Sequence, residues 1–414
     1  MPADSVTIIN TPEERGASMA AAIVGAAEAK EIGYPSTPKT SLQLHIEAIK
    51  AVSDQTGIPI SKIDGVFGAN WSSELAEHLG LHPSYIDTTA VGGCSFEMHV
   101  HHALAAIYAG IIDIALVTHG EAGWSSRANG GRGRGGGGMQ PDVWSPSVQF
   151  TAPYGLTGAP SNYAHAMTRH NHRYGTTPED FAHIAVVTRQ WATLNPRAIM
   201  YSKETNPAGG PITIEDVANA RLIAWPLTLL HCCLVTDYGG AVLITNPEIA
   251  RSLRTKPVWI AGAGENMSHS NMIEMEDFTQ TSAWRSAEKA YRMAGMGPSD
   301  MEMAMIYDSF TVTAGITAEM LGLAKKGEGF TLWKDGHAAP GGRLPINTNG
   351  GGLSFNHSGM YGMQLLVEAY RQLSGTAEDG INGIAGKQTS AKTCIVNGTG
   401  GSLSTTGTVI LVAD

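Results

Sequence analysis

Two stretches of the chain repeat one order of hydrophobic and polar segments. Each begins with an apolar strand that ends in a turn of small residues, in "AAAIVGAAEAKEIG" near Ala20 and in "PVWIAGAGENMSHS" near Pro257. Each continues with an amphipathic helix, a break at glycine and a second buried strand, in "HIEAIKAVSDQTGIPISKIDGVFGA" and "SAEKAYRMAGMGPSDMEMAMIYDSF". The copies lie about 237 residues apart, which predicts an internally duplicated α/β protein.

The pattern becomes irregular between the two copies. We therefore predict an N-terminal half at 1–122 and 227–256, an inserted loop domain at 123–226 and a C-terminal half at 257–414. The insert contains one well-marked helix, with Thr177 as its N-cap and Pro178 at its first position. It also contains the glycine-rich segment 129–138, whose arginines we interpret as solvated linker charge.

Composition and charge narrow the class of protein. The 414 residues are 43% hydrophobic and 15% charged, which is ordinary for a globular enzyme. A formal charge of −10 argues against general affinity for nucleic acid or anionic membranes. The sequence contains no apolar run long enough to span a bilayer and no signal-peptide pattern, so we expect a cytoplasmic protein. The four cysteines lack CxxC spacing, and no metal site or bound cofactor is predicted.

Cys94 is the first candidate for chemistry. It follows two glycines in "TTAVGGCSFEMHVHHALAAIYAG" and precedes a buried helix that is predicted to end at Gly110. A helix N-terminus stabilises a thiolate and lowers the pKa of a cysteine, which would make Cys94 a nucleophile. The alternative is a small buried hydrophobic residue, which is the role of most free cysteines.

Two glycine-rich turns supply the other candidates. In "LPINTNGGGLSFNHSGMYG", His357 precedes a helix predicted to begin near Gly359, and a histidine in such a turn can act as a base. Four other turn residues are candidates for either a structural or an oxyanion-binding role. They are Gly351, Gly352, Asn356 and, in the last turn, Gly400. Cys394 precedes that last turn in "TCIVNGTGG", where core packing is the alternative.

These segments, in this order on a duplicated chain, resemble the thiolase superfamily over nearly the whole length. The resemblance implies a five-layered αβαβα fold, a homodimer, and an acyl-coenzyme A substrate in which a carbon–carbon bond beside the thioester is made or broken. The sequence is most similar to sterol-carrier-protein type thiolases and acetyl-CoA acetyltransferases. By that resemblance Cys94 is the nucleophile, His357 in "NHSGMYG" activates it, and Cys394 is the acid/base cysteine.

One motif departs from the thiolase pattern. Where the family has NEAF or HDCF, this chain has "YDSF", with Tyr307 in place of the Asn or His that helps to form the oxyanion hole. Tyr361, in "GMYG", adds a second phenol. The two tyrosines resemble those of thiolase-like aldolases of steroid side-chain degradation, which cleave a β-hydroxyacyl-CoA and typically work with a small OB-fold and zinc-ribbon partner protein.

The sequence favours acyl transfer through Cys94, since a lyase has no evident need for a thiol at a helix N-terminus. Tyrosine-dependent retro-aldol cleavage is the alternative. A third hypothesis is an inactive acyl-CoA-binding or scaffold subunit, which the retention of both Cys94 and His357 opposes.

Overall fold

A computed structural model describes residues 19–128, 144–156, 158–377 and 386–414. The glycine-rich segment 129–138 lies outside these residues. The strands are β1 (Ala22–Glu28), β2 (Gly65–Phe67), β3 (Tyr85–Asp87), β4 (Ile114–Ala122), β5 (Leu222–Ala224), β6 (Leu227–Thr228), β7 (Asp237–Thr245), β8 (Val258–Met267), β9 (Met303–Ile306), β10 (Thr393–Gly400) and β11 (Thr405–Ala413).

The helices follow the same chain order. They are α1 (Ser41–Thr56), α2 (Ser72–Leu79), α3 (Ser95–Tyr108), α4 (Gly123–Ala128), α5 (Pro146–Phe150), α6 (Ala159–Tyr174), α7 (Pro178–Ala192), α8 (Ile214–Asn219), α9 (Pro247–Ser252), α10 (Ala283–Ala294), α11 (Thr311–Met320), α12 (Thr331–Lys334) and α13 (Gly362–Ser374). None of the helices in the described part of the chain has the length and apolarity that a bilayer crossing requires.

The strands show the predicted duplication. Nine of them form one sheet in the order β3-β2-β4-β7-β1-β8-β11-β10-β9. In the first half β1 pairs antiparallel with β7, β7 antiparallel with β4, and β4 parallel with β2. In the second half β8 pairs antiparallel with β11, β11 antiparallel with β10, and β10 parallel with β9, which repeats the same directions. The halves join where Ile23 of β1 meets Val258 of β8, so the two strands predicted to be equivalent hold equivalent places.

The helices complete five layers. Helix α1 packs on β1, β4 and β7, and α10 packs on β8 and β11, so each half of the sheet has its own outer helix. Helices α3 and α13 contact each other and strands of both halves, which places them in the middle layer. The α/β fold with its αβαβα layers is therefore as predicted. Helices α4 to α8 and strand β5 fall within 123–226, but the exact domain boundaries stay a prediction.

Glycines let the outer helices approach the sheet equally in both halves. A Cβ on Gly239 of β7 would lie 2.2 Å from the carbonyl oxygen of Leu44 in α1. A Cβ on Gly262 of β8 would lie 2.2 Å from the carbonyl oxygen of Ala290 in α10. Because real Cβ contacts are never so short, both positions need glycine for the helix to pack this closely.

Candidate active site

The middle layer places Cys94 at the start of α3. Cys94 is the N-cap residue, as predicted, and its side chain is fully buried. The end of β10 lies directly on the thiol, because a Cβ on Gly400 would be 2.8 Å from Sγ. Gly92 has φ +93° and would bring a Cβ to 2.8 Å from the backbone nitrogen of Gly401. The glycines on both sides therefore allow the loop before α3 and the end of β10 to meet around the thiol.

The electrostatics of Cys94 differ from the sequence prediction. The helix N-terminus was expected to lower the pKa of the thiol. Burial instead raises the pKa of Cys94 well above its ordinary value, and the nearby carboxyl of Glu97 adds to the increase. Loss of hydration outweighs the helix dipole here because the thiol is enclosed on all sides. In the resting protein Cys94 is therefore a neutral thiol.

Tyr307 is the centre of a hydrogen-bonded cluster. Its hydroxyl lies 3.2 Å from Nε2 of His357 and 3.3 Å from the carbonyl oxygen of Gly359. The backbone N–H of Tyr361 donates to the Tyr307 oxygen over 3.1 Å. A Cβ on Gly93 would lie 2.5 Å from that same oxygen, so Tyr307 packs against the residue before Cys94. The structure therefore brings Cys94, Tyr307, His357 and Tyr361 together.

Burial fixes the protonation states of this cluster. It lowers the pKa of His357 to about 4, so the imidazole is neutral near pH 7. It raises the pKa of Tyr307 and of Tyr361 well above that of a free phenol, so both keep their protons. A neutral imidazole beside a phenol can accept the phenol's proton while the phenol accepts one from a substrate.

The backbone around His357 holds it in place. The His357 N–H donates to Oγ1 of Thr236 over 2.9 Å, and the Thr236 N–H donates back to the His357 carbonyl over 3.1 Å. Helix α13 begins at Gly362, three residues later than predicted, because 358–361 form a turn whose last N–H is bonded to Tyr307. This turn orients the imidazole toward the phenol.

The turn residues predicted near the oxyanion hole have structural partners. The N–H of Gly351 donates to Oδ1 of Asn349 over 2.9 Å, and that of Gly352 to Oδ1 of Asp308 over 2.7 Å. The amide of Asn356 donates to the carbonyl of Asp237 over 3.0 Å. Since these donors are occupied, Gly351, Gly352 and Asn356 have a structural role in this conformation rather than an oxyanion-binding one.

Cys394 is not part of the cluster. It lies near the opposite end of β10, six residues before Gly400 and so about 20 Å along the strand. Its side chain is fully buried, its register partners are Met303 and Leu411, and burial raises the pKa of its thiol. The assignment of Cys394 as an acid/base group beside Cys94 was therefore wrong, because an ungapped motif match did not reveal which end of the strand reaches the site.

Two residues near Cys94 were missed. Tyr163 of α6, in the predicted loop domain, places its hydroxyl 3.3 Å from the carbonyl of Gly401 and stacks its ring on Phe310 at 4.4 Å. No feature of the sequence marks it. Glu97 of α3 is buried three residues after Cys94, and burial raises the pKa of its carboxyl to about 8. Its sequence signal was a single carboxylate within the apolar run of a buried helix.

The three histidines of α3 are less separated than their spacing suggests, because His101 and His102 both lie near the carboxylate of Glu265, at 3.4 and 3.1 Å. His99 is buried beside the rings of Phe67 and Phe96. His102 lies 3.1 Å from Glu265 and also pairs with Asp87. Over the described ranges, no three His, Cys, Asp or Glu side chains are grouped as a metal would require.

Comparison with known proteins places the chain in a family. The "Thiolase C-terminal domain-like" family matches residues 264–413. The steroid side-chain-cleaving aldolase of Thermomonospora curvata is 33% identical over 85% of this chain and 91% of its own. The 17-hydroxy-3-oxo-4-pregnene-20-carboxyl-CoA lyase of Mycobacterium tuberculosis is 30% identical over 84% of this chain and 90% of its own. The chain therefore belongs to the thiolase superfamily.

Members of both chemical types appear among its relatives. A solved structure described as "Ltp2-ChsH2(DUF35) aldolase" superposes with a TM-score of 0.83 and 30% identity, over 95% of this chain and 98% of that one. An acetyl-CoA acetyltransferase of Methanothermobacter thermautotrophicus is 28% identical over 74% of this chain and 76% of its own. The family thus includes carbon–carbon lyases as well as acyltransferases.

Proposed function

We propose that this protein is a carbon–carbon lyase that cleaves a β-hydroxyacyl-CoA by a retro-aldol reaction. The observation that carries the proposal is the Tyr307 hydroxyl 3.2 Å from a neutral His357, beside a Cys94 that burial keeps as a thiol. A pair of this kind accepts a proton without forming a covalent intermediate. The relatives that are at least 30% identical over most of both chains carry lyase or aldolase names.

The reaction moves one proton to the tyrosine–histidine pair. The β-hydroxyl of the substrate gives its proton to the Tyr307 oxygen, and the Tyr307 proton passes to Nε2 of His357. The electrons of the O–H bond form the carbonyl of the departing ketone or aldehyde, and the bond between the α and β carbons breaks. Its electrons become the enolate of the shortened acyl-CoA, whose α carbon must then receive a proton.

Tyr361 has a positioning role in this proposal. Its hydroxyl donates to Oδ1 of Asn349 over 2.8 Å, while its backbone N–H holds the Tyr307 oxygen. Its ring stacks on the imidazole of His357, with the ring planes 11° apart. The side chain is therefore packed against the base and bonded away from the thiol.

The test is to identify products with a panel of β-hydroxyacyl-CoAs that includes steroid-like acyl groups. Mass spectrometry should detect a ketone or aldehyde and a shortened acyl-CoA in equal amounts, with no acyl group on the intact protein. Cys94→Ser should still release the ketone in a single turnover, because cleavage of the carbon–carbon bond needs no bond to sulfur. Absence of cleavage across the panel, with an acyl adduct on wild type that Cys94→Ser lacks, would contradict the proposal.

Acyl transfer through Cys94 is the second candidate function. The position of the thiol at the N-terminus of α3, with Gly400 against Sγ, favours it. In this reaction Cys94 would attack a β-ketoacyl-CoA, and free coenzyme A would remove the acyl group. The adduct measurement separates the two reactions, because only acyl transfer links substrate to sulfur.

A partner subunit is part of the proposal. The aldolase structure similar to this chain carries two protein names in its description, and a relative from Thauera aromatica is named as a thiolase subunit. We expect a homodimer of this chain together with a small OB-fold and zinc-ribbon protein. Co-expression with such a protein followed by size-exclusion chromatography with light scattering would test both expectations.

A further inference from the structure

Glu97 is an isolated buried carboxyl. It lies in the first turn of α3 and is 1% exposed. Neither carboxyl oxygen accepts a hydrogen bond from another residue of the described chain, and no lysine or arginine there pairs with it. An unpaired buried polar group destabilises the folded state, so its position calls for a functional explanation.

Three glycines form the slot that holds this carboxyl. A Cβ on Gly398 would lie 2.2 Å from Oε2 of Glu97, and a Cβ on Gly362 would lie 2.4 Å from it. A Cβ on Gly407 would lie 2.8 Å from the Cβ of Glu97. Strands β10 and β11 and helix α13 therefore each present bare backbone at the point where the carboxyl lies.

The slot places the carboxyl near the backbone of Cys94, without a hydrogen bond to its Sγ in the resting protein. The same Cβ position on Gly398 is 2.7 Å from the Cα of Cys94, so Oε2 of Glu97 and that Cα are within about 5 Å of each other. The charge of Glu97 raises the pKa of the Cys94 thiol, and Glu265 of β8 does so more weakly. The three elements contribute glycine backbone at the carboxyl, and the Cys94 thiol is a titratable group whose pKa responds to it.

We propose that Cys94 and Glu97 act as a proton-donating pair, an inference that rests on the retro-aldol function proposed above. The thiol gives its proton to the α carbon of the enolate, forming the C–H bond of the shortened acyl-CoA. The carboxyl of Glu97 then gives its proton to the thiolate through one bridging water and restores the thiol. The proton taken from the β-hydroxyl leaves His357 to water, and Glu97 takes one from water, so the protons balance.

The acidities of the two groups fit this order. A thiol whose pKa is raised by burial is a poor nucleophile at neutral pH and remains protonated until a strongly basic enolate carbon forms. Burial raises the pKa of Glu97 to about 8, so the carboxyl holds its proton at pH 7. Transfer from Glu97 to a thiolate that binds protons more tightly is downhill. Glu97 touches no substrate and acts through Cys94, which makes it a positioning residue for the thiol's proton.

The first test measures the coupling in the resting protein without substrate. The thiolate absorbance of Cys94, taken as wild type minus Cys94→Ser, is followed as the pH rises. Glu97→Gln should lower the ionisation midpoint of Cys94, because it removes the negative charge that opposes the thiolate. His99→Gln, on the same helix and equally buried, is the matched control and should leave the midpoint unchanged. An unchanged midpoint in Glu97→Gln would overturn the inference.

The second test measures turnover of a cleaved β-hydroxyacyl-CoA. In wild type kcat should fall as the pH rises through about 8, because Glu97 loses the proton that it supplies. Glu97→Gln should lower kcat by roughly 10²-fold with little change in KM and should abolish this limb of the pH profile. Glu97→Asp, which keeps a carboxyl, should recover part of kcat and retain the limb. A Glu97→Gln enzyme with wild-type kcat and an unaltered limb would overturn the proposal.

The outcomes separate the two proposals. If cleavage products form but neither the midpoint nor the pH limb responds to Glu97→Gln, the proton-donating pair is wrong and the lyase function stands. If the midpoint shifts but no cleavage occurs and Cys94 carries an acyl group, the lyase function is wrong. Proton donation from Cys94 and Glu97 to an enolate is then wrong as well. Should Glu97→Gln fail to fold, Glu97→Asp gives the same readouts, with a smaller midpoint shift expected and an unchanged midpoint counting against the pair.

Discussion

Replacement of Tyr307 by phenylalanine is the sharpest test of the proposed chemistry. The change removes one oxygen from a ring that is 4% exposed, so the shape of the site is kept. That oxygen contacts Nε2 of His357 at 3.2 Å, the carbonyl of Gly359 at 3.3 Å and the N–H of Tyr361 at 3.1 Å. Loss of the group that takes the substrate proton should lower kcat by ~10²–10⁴-fold.

The same replacement has a smaller and separable effect on stability. It leaves the Tyr361 N–H buried without an acceptor, which should cost about 1–3 kcal/mol of unfolding free energy. Tyr370→Phe is the matched control, because its buried hydroxyl donates to the carbonyl of Val24 over 2.9 Å, away from the site. It should lose about 1 kcal/mol and keep wild-type turnover.

The assay combines chemical denaturation with steady-state cleavage, measured as release of the shortened acyl-CoA. Both variants should remain folded at the assay temperature, and only Tyr307→Phe should lose activity. If Tyr307→Phe keeps turnover within about threefold of wild type, the phenol is not the proton acceptor and the mechanism is refuted. If Tyr370→Phe loses activity equally, the loss in Tyr307→Phe reports stability rather than chemistry.

Three further predictions follow from burial, charge and backbone geometry. Iodoacetamide should modify the half-buried Cys232 before the fully buried Cys94, the reverse of the order that a lowered pKa of the Cys94 thiol would predict. Peptide mass spectrometry after short exposure measures the order of labelling, and earlier labelling of Cys94 would show that it is an accessible thiolate. Burial alone would raise the pKa of Glu28, but Arg371 and a second arginine lower it to about 2. The charged Glu28 therefore contributes about 3 kcal/mol to the free energy of unfolding above pH 4.5, and this contribution is lost as the pH falls toward 2. Thermal melts should show that Glu28→Gln is less acid-sensitive than wild type over that window, and parallel pH curves would refute this. Gly351→Ala should destabilise the protein by about 2 kcal/mol or more, because φ is +65° and the new Cβ would lie 2.1 Å from Oδ2 of Asp308. An unchanged denaturant midpoint of unfolding would contradict this prediction.

The sequence by itself determined the elements and their repetition. The apolar strands and amphipathic helices recur at one offset, and each copy builds the same strand order because local pattern fixes what each segment can bury. Helix α7 has its N-cap at Thr177 and begins at Pro178 as predicted, because capping depends on a few adjacent residues.

Only the tertiary structure decided what the site can do. The pKa of Cys94 rises because segments more than 300 residues apart exclude water from it. The local sequence at a helix N-terminus does not indicate that burial. Cys394 fits a motif but lies at the far end of its strand, and Tyr163 arrives from a different part of the chain. Glu97 is isolated by three glycines from three elements. Proton chemistry depends on solvent exclusion and on contacts between distant segments, so the fold's packing rather than any single stretch of sequence sets it.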